Sequence, residues 1–341
     1  MTDNELPGLD LGRLWAFLHG ARPGLVVGDL RGSLIAGGRS NLTYDVTDGH
    51  SEWVVRRPPL GHVLATAHDM GREFRVMTAL GSSDVPVPDT VLQCEDNDVL
   101  GAPFYVMQKV SGTAYRRASQ LVPLGAARTR AICIRMVDTL AALHRVDPAA
   151  VGLSDFGRPE GFLARQVKRW KQQLDASRNR DLAGIDELHA SLESRVPVQS
   201  PAAIVHGDYR LDNLLVDESD QVAAVLDWEM ATLGDPLTDV ALLVAYAGMS
   251  DMDGAGAVAD ASDAPGFLTA AGMLARYAEL SDRDLSAMGF YVALGYFKLA
   301  VILEGIHYRF AQGKTVGAGF ETVGAIVEPI VSAGLTALKE I

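Results

Sequence analysis

Thirteen consecutive residues, Ile204-Val205-His206-Gly207-Asp208-Tyr209-Arg210-Leu211-Asp212-Asn213-Leu214-Leu215-Val216, constrain this chain more than any other stretch. Two short apolar runs bracket a polar loop that carries His206, Asp208 and Asn213. A further apolar run, Val222-Ala223-Ala224-Val225-Leu226, then delivers Asp227, with Trp228 and Glu229 behind it. Apolar runs this short, bounded by polar turns, read as buried strands. Strand ends present their polar side chains to a cleft, and here three such ends carry oxygen-bearing groups. Any one of them alone would be a turn residue bonding its own backbone. The ordered set is what points to chemistry.

Asp208 and Asn213 stand five apart, the spacing of the His-x-Asp-x-x-x-x-Asn catalytic loop of kinases. Phosphoryl transfer needs a carboxylate to orient and deprotonate a hydroxyl, which suits Asp208. It also needs oxygen ligands for Mg²⁺, a hard cation that takes few protein ligands, which suits Asn213 and Asp227. A metal-dependent hydrolase built on His206, Asp208 and Asp227 would need more His ligands at recognisable spacing.

Composition narrows the classes further. The 341 residues carry 30 Lys plus Arg against 43 Asp plus Glu, a formal net charge of −13, which argues against a nucleic-acid partner. A local basic pocket can still take an anionic small ligand on an acidic protein. Cys94 and Cys133 are too few for a disulfide framework, so a cytoplasmic location is expected. The acidic start, Met1-Thr2-Asp3-Asn4-Glu5, does not lead into a signal-like stretch. Phe290 to Phe310 is apolar but interrupted by Lys298, Glu304 and His307, so a buried amphipathic helix is expected there and not a membrane span.

The pattern changes character near residue 110. Before it, residues 30–35, 42–47, 52–56, 91–94 and 104–107 alternate as strands, with Asp48-Gly49 as a hairpin turn. Met70, Phe74, Met77 and Leu80 recur at helical spacing between them. Beyond Ser111-Gly112-Thr113, helices dominate, among them Ala126 to Val146 and a basic-faced helix from Phe162 to about Leu174. The fold class expected is α+β, with a β-rich lobe over 1–110 and a mostly helical lobe over 111–341. Ser250 to Asp263, rich in Asp, Gly and Ala, reads as a surface loop.

The chain resembles the aminoglycoside phosphotransferase and choline kinase family, whose fold is bilobal and protein-kinase-like. Within it, the chain is most similar to the kinase-like domains associated with acyl-CoA dehydrogenases. The residues that carry this branch are Gly37-Gly38-Arg39-Ser40-Asn41-Leu42-Thr43-Tyr44, Val54-Val55-Arg56-Arg57-Pro58-Pro59 and Gly71-Arg72-Glu73-Phe74-Arg75. Further on come Phe156-Gly157-Arg158-Pro159, Arg165-Gln166-Val167-Lys168-Arg169-Trp170, Asp227-Trp228-Glu229 and Gly234-Asp235-Pro236-Leu237-Thr238-Asp239. The likeness runs from about residue 30 to 310.

The resemblance implies roles residue by residue. Gly37, Gly38, Ser40 and Asn41 would turn over the ATP phosphates, where a plain hairpin turn is the alternative. Arg56 stands where protein kinases carry a phosphate-holding Lys, and Glu73 would be its partner. Arg56 and Arg57 face opposite sides of a strand, so one register turns Arg56 inward and leaves Arg57 to solvent. Gln108-Lys109-Val110 would join the lobes and hold adenine through backbone groups. His206 and Trp228 would be structural. Asp235 and Asp239 resemble positions that support the catalytic loop, with Asp239 also a plausible N-cap.

The function so implied is an ATP- and Mg²⁺-dependent kinase of a small-molecule hydroxyl, with no nucleic-acid or membrane partner. Asp208 would be its base and Asn213 with Asp227 its metal ligands. The branch points to a hydroxyacyl-CoA-type acceptor, which the basic face of Arg165, Lys168, Arg169 and Lys171 could meet unless it is only a solvated helix face. An aminoglycoside kinase is the first alternative, with the Asp251 to Asp263 tract as a cation subsite or a solvated loop. A nucleotide-binding pseudokinase is the second.

Overall fold

Val54 and Arg56 lie on one side of an extended strand while Trp53, Val55 and Arg57 lie on the other, and this alternation organises the first part of the molecule. The computed structural model describes residues 6–35, 41–60, 69–249, 252, 260–313 and 320–339. It divides into two compact units, one of Met1–Ser111 with Ala223–Ala231, the other of Gly112–Val222 with Thr232–Ile341.

In the first unit, helix α1 (Leu11–Ala21) precedes strands β1 (Arg31–Leu34), β2 (Leu42–Thr47) and β3 (Glu52–Arg57). Helix α2 (Met70–Leu80), strand β4 (Thr90–Cys94), the short helix α3 (Asn97–Leu100) and strand β5 (Phe104–Gln108) follow. The strands form one antiparallel sheet of order β1-β2-β3-β5-β4. Asp10 caps α1 by accepting the Arg13 N–H at 2.9 Å. One face of the sheet, with Tyr44, Val46, Trp53, Val55, Phe104 and Val106, packs with Leu14 and Leu18 of α1 into the core.

Arg57 shares that buried face and is itself buried, not turned to solvent as expected. It donates to the carbonyls of Gly8 at 2.5 Å and Leu100 at 2.7 Å, so its charge satisfies two backbone acceptors at the core. The opposite face carries Arg56, whose cross-strand neighbour is Tyr105.

The second unit opens with α4 (Ala118–Leu121), α5 (Ala126–Arg145), α6 (Phe162–Ser177) and α7 (Ile185–Ser194). Short strands β6 (Ala203–Val205) and β7 (Leu214–Val216) flank the polar loop; the chain then runs through β8 (Val222–Val225) and returns in β9 (Thr232–Gly234). Strand β6 pairs antiparallel with β9, and a bridge joins Thr113 to Val216. Helices α8 (Leu237–Gly248), α9 (Ala270–Leu280), α10 (Met288–Ala311) and α11 (Val327–Ala337) complete the unit.

Helix α10 is long and apolar enough to cross a membrane by length and composition, yet it is buried along most of its length. It packs against α6, α8 and α11, and its fully buried Glu304 is forked by Arg180 at 2.7 Å. Burial against helices on several sides explains why its sequence is apolar nearly all round and less amphipathic than expected.

Ala223–Ala231, which a division of the chain at residues 110/111 places with the helical lobe, clusters with the first unit. The Val225 N–H donates to Pro86 O at 2.8 Å and Arg72 donates to Ala231 O at 3.1 and 3.2 Å, tying the segment to the first unit.

Candidate active site

The first unit gathers its charges around Arg56. Glu73 enters from α2, whose N-cap Asp69 accepts the Arg72 N–H at 3.0 Å and so fixes the first turn. Arg56 Nε lies 3.1 Å from Glu73 Oε2, and Nη2 bonds Asp227 Oδ1. Tyr105 donates its hydroxyl to Glu73 at 3.0 Å. Asn41 is buried and spans two carboxylates, donating to Glu73 at 3.3 Å and Glu229 at 3.2 Å. Gly37, Gly38 and Ser40 lie outside the described residues.

Asp227 sits in the left-handed region at φ +65°, a conformation an L residue other than Asn or Asp rarely takes. A 3-10 turn of Trp228–Met230 follows it, held by buried Trp228, whose indole N–H donates to Val225 O at 3.0 Å. The strained residue therefore stands on a rigid footing, with its side chain 27% exposed.

Burial pushes the Glu73 carboxyl up to about 7; Arg56 opposes that push, and the negative charges of Asp227 and Glu229 add to it. Arg56 is raised by its anionic neighbours in spite of its own burial. The ion pair and the raised Glu73 are compatible because one guanidinium is shared between carboxylates.

The second unit carries the loop at Asp208. Its backbone is held from three sides. Asp239, buried in the first turn of α8, accepts the N–H of His206 at 2.7 Å and of Gly207 at 2.8 Å. The Asp208 N–H donates to His206 Nδ1 at 3.2 Å. Lys298, from α10, donates to Gly207 O. Gly207 has φ +83°, a value that glycine takes without strain. Asn213 closes the loop, its amide donating to Asp208 O at 2.9 Å and Oδ2 at 3.3 Å.

Asp239 is not the N-cap of α8; that position is Pro236. Asp235 takes the capping part, accepting the Leu237 N–H at 3.1 Å, the Ser200 N–H at 2.8 Å and the Tyr291 hydroxyl at 2.8 Å. Burial alone would raise Asp239, but His144, His206 and the Gly207 N–H hold it below its ordinary value, so it stays an anion and a strong acceptor. Burial lowers His144, against the opposing pull of Asp239.

Two residues past Asp208, Arg210 forks onto Asp212, reaches the Tyr246 hydroxyl at 3.1 Å and lies over its ring. These residues line a pocket with Tyr115, Met136, Phe267 and Met273. The Ser262 hydroxyl on its wall is buried without a hydrogen-bond partner among the described residues.

Arg56, Glu73, Asn41 and Asp227 are thus brought together in one unit, and Asp208 with Asn213 in the other. Glu229 and Lys298 were not expected as site residues. For Glu229 the signal was its place two after Asp227; for Lys298 it was a lone base in an apolar helix. Of the acidic tract, residues 250, 251 and 253–259 lie outside the described residues. Asp260 accepts the Ala118 N–H at 3.0 Å at the start of α4. On α6, Arg165 bonds the carbonyls of Arg158 and Glu160, and Lys171 pairs with Asp175, leaving Lys168 and Arg169 exposed.

Residues 31–280 match the family described as "Phosphotransferase enzyme family", APH. The chain is 34% identical over 343 residues to acyl-CoA dehydrogenase family member 11 of Gallus gallus, covering 97% of this chain and 44% of that protein. With acyl-CoA dehydrogenase family member 10 of Mus musculus it shares 35% identity over 303 residues, covering 85% of this chain and 28% of that protein. It therefore spans less than half the length of these relatives. A crystal structure from Ralstonia eutropha JMP134, provisionally assigned as an aminoglycoside phosphotransferase, matches with TM-score 0.85 and 32% identity, covering 97% of this chain and 98% of that one. Aminoglycoside phosphotransferase APH(4)-Ia, solved with AMP-PNP and hygromycin B, matches with TM-score 0.61 and 14% identity over 94% of this chain and 97% of that one, a likeness of fold.

Proposed function

The chain belongs to the APH phosphotransferase enzyme family and has its α+β, protein-kinase-like fold, and from that premise we propose that it is an ATP-dependent kinase of a small-molecule hydroxyl. The observation that carries this reading is the clamped loop at Asp208. A base for in-line transfer must be aimed more than it must be strong, because the transition state is loose. Asp239, His206 and Lys298 fix the backbone that carries Asp208, and Asn213 touches its carboxylate.

In this mechanism Asp208 accepts the proton of the acceptor hydroxyl as the oxygen attacks the γ-phosphorus of ATP, and the bond from that phosphorus to the β,γ-bridging oxygen breaks to release ADP. Arg56 steadies phosphate oxygens with its fork, held for that task by Glu73. The residues present fit a hard cation: Arg56 is shared between the carboxylates of Glu73 and Asp227, and Glu229 adds negative charge beside Glu73, a surplus of anionic oxygen. Among the described residues no group of three or more His, Cys, Asp or Glu closes into a metal cage, and Mg²⁺ at a nucleotide does not need one. Asn213 and Asp227 would hold Mg²⁺, which when bound offsets charge on the phosphate oxygens.

For the acceptor, we favour a hydroxyacyl-CoA-type metabolite over an aminoglycoside. The relatives' association with acyl-CoA dehydrogenases supports this, and so does the pocket beside Arg210, whose walls are apolar and whose Asp212 is already neutralised by that arginine. Among the described residues a polycationic antibiotic would find little unpaired negative charge there.

The test is ADP release with ATP and Mg²⁺ against hydroxyacyl-CoAs, aminoglycosides, choline and sugars, with Asp208→Ala alongside. Turnover with one class and its loss in Asp208→Ala is expected. Undiminished turnover in Asp208→Ala would remove Asp208 as the base, and turnover with an aminoglycoside alone would reverse the choice of acceptor.

A further inference from the structure

We propose that Lys298 is a positioning residue for phosphoryl transfer, holding the Gly207–Asp208 peptide so that the Asp208 carboxylate is aimed. This rests on the reading of Asp208 as the base.

A lysine in the middle of an apolar core helix needs a reason, because desolvating an ammonium is costly unless it is paired. Lys298 lies on α10, with the buried Phe297 and Leu299 on either side. Its ammonium does not form an ion pair within 4.0 Å among the described residues; it donates to a backbone carbonyl, that of Gly207. The same ammonium lies 5.5 Å from the centre of the Trp170 ring on α6, a cation–π distance. The Asp208 and Asp239 carboxylates and the Arg169 guanidinium also act on it, and burial pulls it below the ordinary lysine value.

The carbonyl that Lys298 holds belongs to the peptide whose N–H, on Asp208, donates to His206 Nδ1. Both ends of one peptide plane are therefore tied, one to α10 and one within the loop. The Gly207 N–H is tied in turn to Asp239 Oδ1 at 2.8 Å. Gly207, at φ +83°, has the widest conformational freedom of any residue, so an untethered carbonyl here would let the peptide rotate and swing Asp208 off line. A neutral donor could hold the carbonyl, but an ammonium also supplies positive charge where carboxylates and an incoming polyphosphate would repel one another.

This separates Lys298 from a packing residue and gives two readouts. With Mg²⁺·ATP alone and water as acceptor, Lys298→Met should lower the turnover number roughly 10- to 100-fold, the effect of losing a hydrogen bond to a charged group. The KM for ATP should stay within about threefold, because the phosphate-holding Arg56 is untouched. Lys298→Arg, which keeps donor and charge, should retain most of the rate. Amide hydrogen exchange at Asp208 should accelerate in Lys298→Met and stay slow in Lys298→Arg, and this reads the clamp even where hydrolysis is below detection. Should the Met variant fail to fold, Lys298→Leu, which also removes the donor, is measured the same way.

Wild-type turnover in a folded Lys298→Met, unchanged exchange at Asp208, or an Arg variant as impaired as Met would each overturn the proposal. Asp208→Asn separates the two readings. If Asp208→Asn is inactive while Lys298→Met is normal, Lys298 alone fails. If Asp208→Asn turns over normally, the assignment of the base fails, and the exchange result still decides whether Lys298 holds the loop.

Discussion

Arg56 and Glu73 form an ion pair, Nε to Oε2 at 3.1 Å, with side chains 12% and 1% exposed. The pair is unequal. Glu73 has buried donors in Tyr105 and Asn41 besides Arg56, whereas Arg56 is the cation for both Glu73 and Asp227. Removing Arg56 leaves the buried Glu73 and the partly buried Asp227 without their cation; removing the charge of Glu73 leaves an arginine that still has Asp227.

Arg56→Met should therefore destabilise the protein by about 3–5 kcal/mol, and Glu73→Gln by markedly less. Both should weaken ATP binding, Arg56→Met by at least about tenfold, the loss expected for a charged hydrogen bond. Urea denaturation and ATP titration calorimetry measure the two effects, and equal destabilisation by both variants would contradict the asymmetry.

Glu73 also sets a pH dependence. Burial raises its carboxyl to about 7 from 4.5, so between those values the folded chain holds a proton that the unfolded chain has released. Its stabilising contribution is full below about pH 4.5 and is lost as pH rises through about 7. The loss is on the order of 3 kcal/mol at most, since Glu73 is almost fully buried. Urea midpoints should fall from pH 5 to pH 8 in the wild type, and this part of the slope should vanish in Glu73→Gln.

Asp239 carries the loop through two backbone bonds, to His206 at 2.7 Å and Gly207 at 2.8 Å. Asp239→Ala leaves both N–H groups buried without an acceptor, at about 1–3 kcal/mol each. Asp239→Asn keeps one acceptor oxygen and should cost about half as much. In both variants the turnover number should fall more than ATP affinity changes, because Arg56, the residue proposed to hold phosphate oxygens, belongs to the other unit. ADP release and calorimetry on the same preparations would show this.

Local pattern made most of the elements legible. The run of residues 52–56 located β3, strand geometry placed Arg56 and Arg57 on opposite faces, and the polar loop between apolar runs located Asp208 and Asn213. Partners distant in the chain were not legible. Arg57 looked like a solvent residue because the carbonyls that hold it lie 49 and 43 positions away. Asp239 looked like a cap because its acceptor work is done for residues 33 and 32 positions earlier. Lys298 looked like an interruption in an apolar helix because Gly207 is 91 positions from it. Periodicity reports which face a residue takes, and it carries no information on which distant backbone meets that face.

Gly157 tests how closely the loop depends on the strands beneath it. A Cβ at this position would lie 2.5 Å from Thr232 Oγ1 and 2.6 Å from the backbone N of Leu233, and backbone cannot step aside as a side chain can. Thr232 and Leu233 belong to β9, which pairs with Val205 and Ile204 of β6, and β6 runs directly into His206. Gly157→Ala should thus cost about 1–3 kcal/mol as overpacking, and should displace β9 and, through it, the loop at Asp208. Gly20, in α1, has nothing within 4 Å of an added Cβ, so Gly20→Ala should be neutral or stabilising by up to about 1 kcal/mol. Urea midpoints order the two variants. If Gly157→Ala lowers turnover at unchanged ATP affinity, the strain has reached the loop; if it lowers stability alone, β9 yields without moving β6.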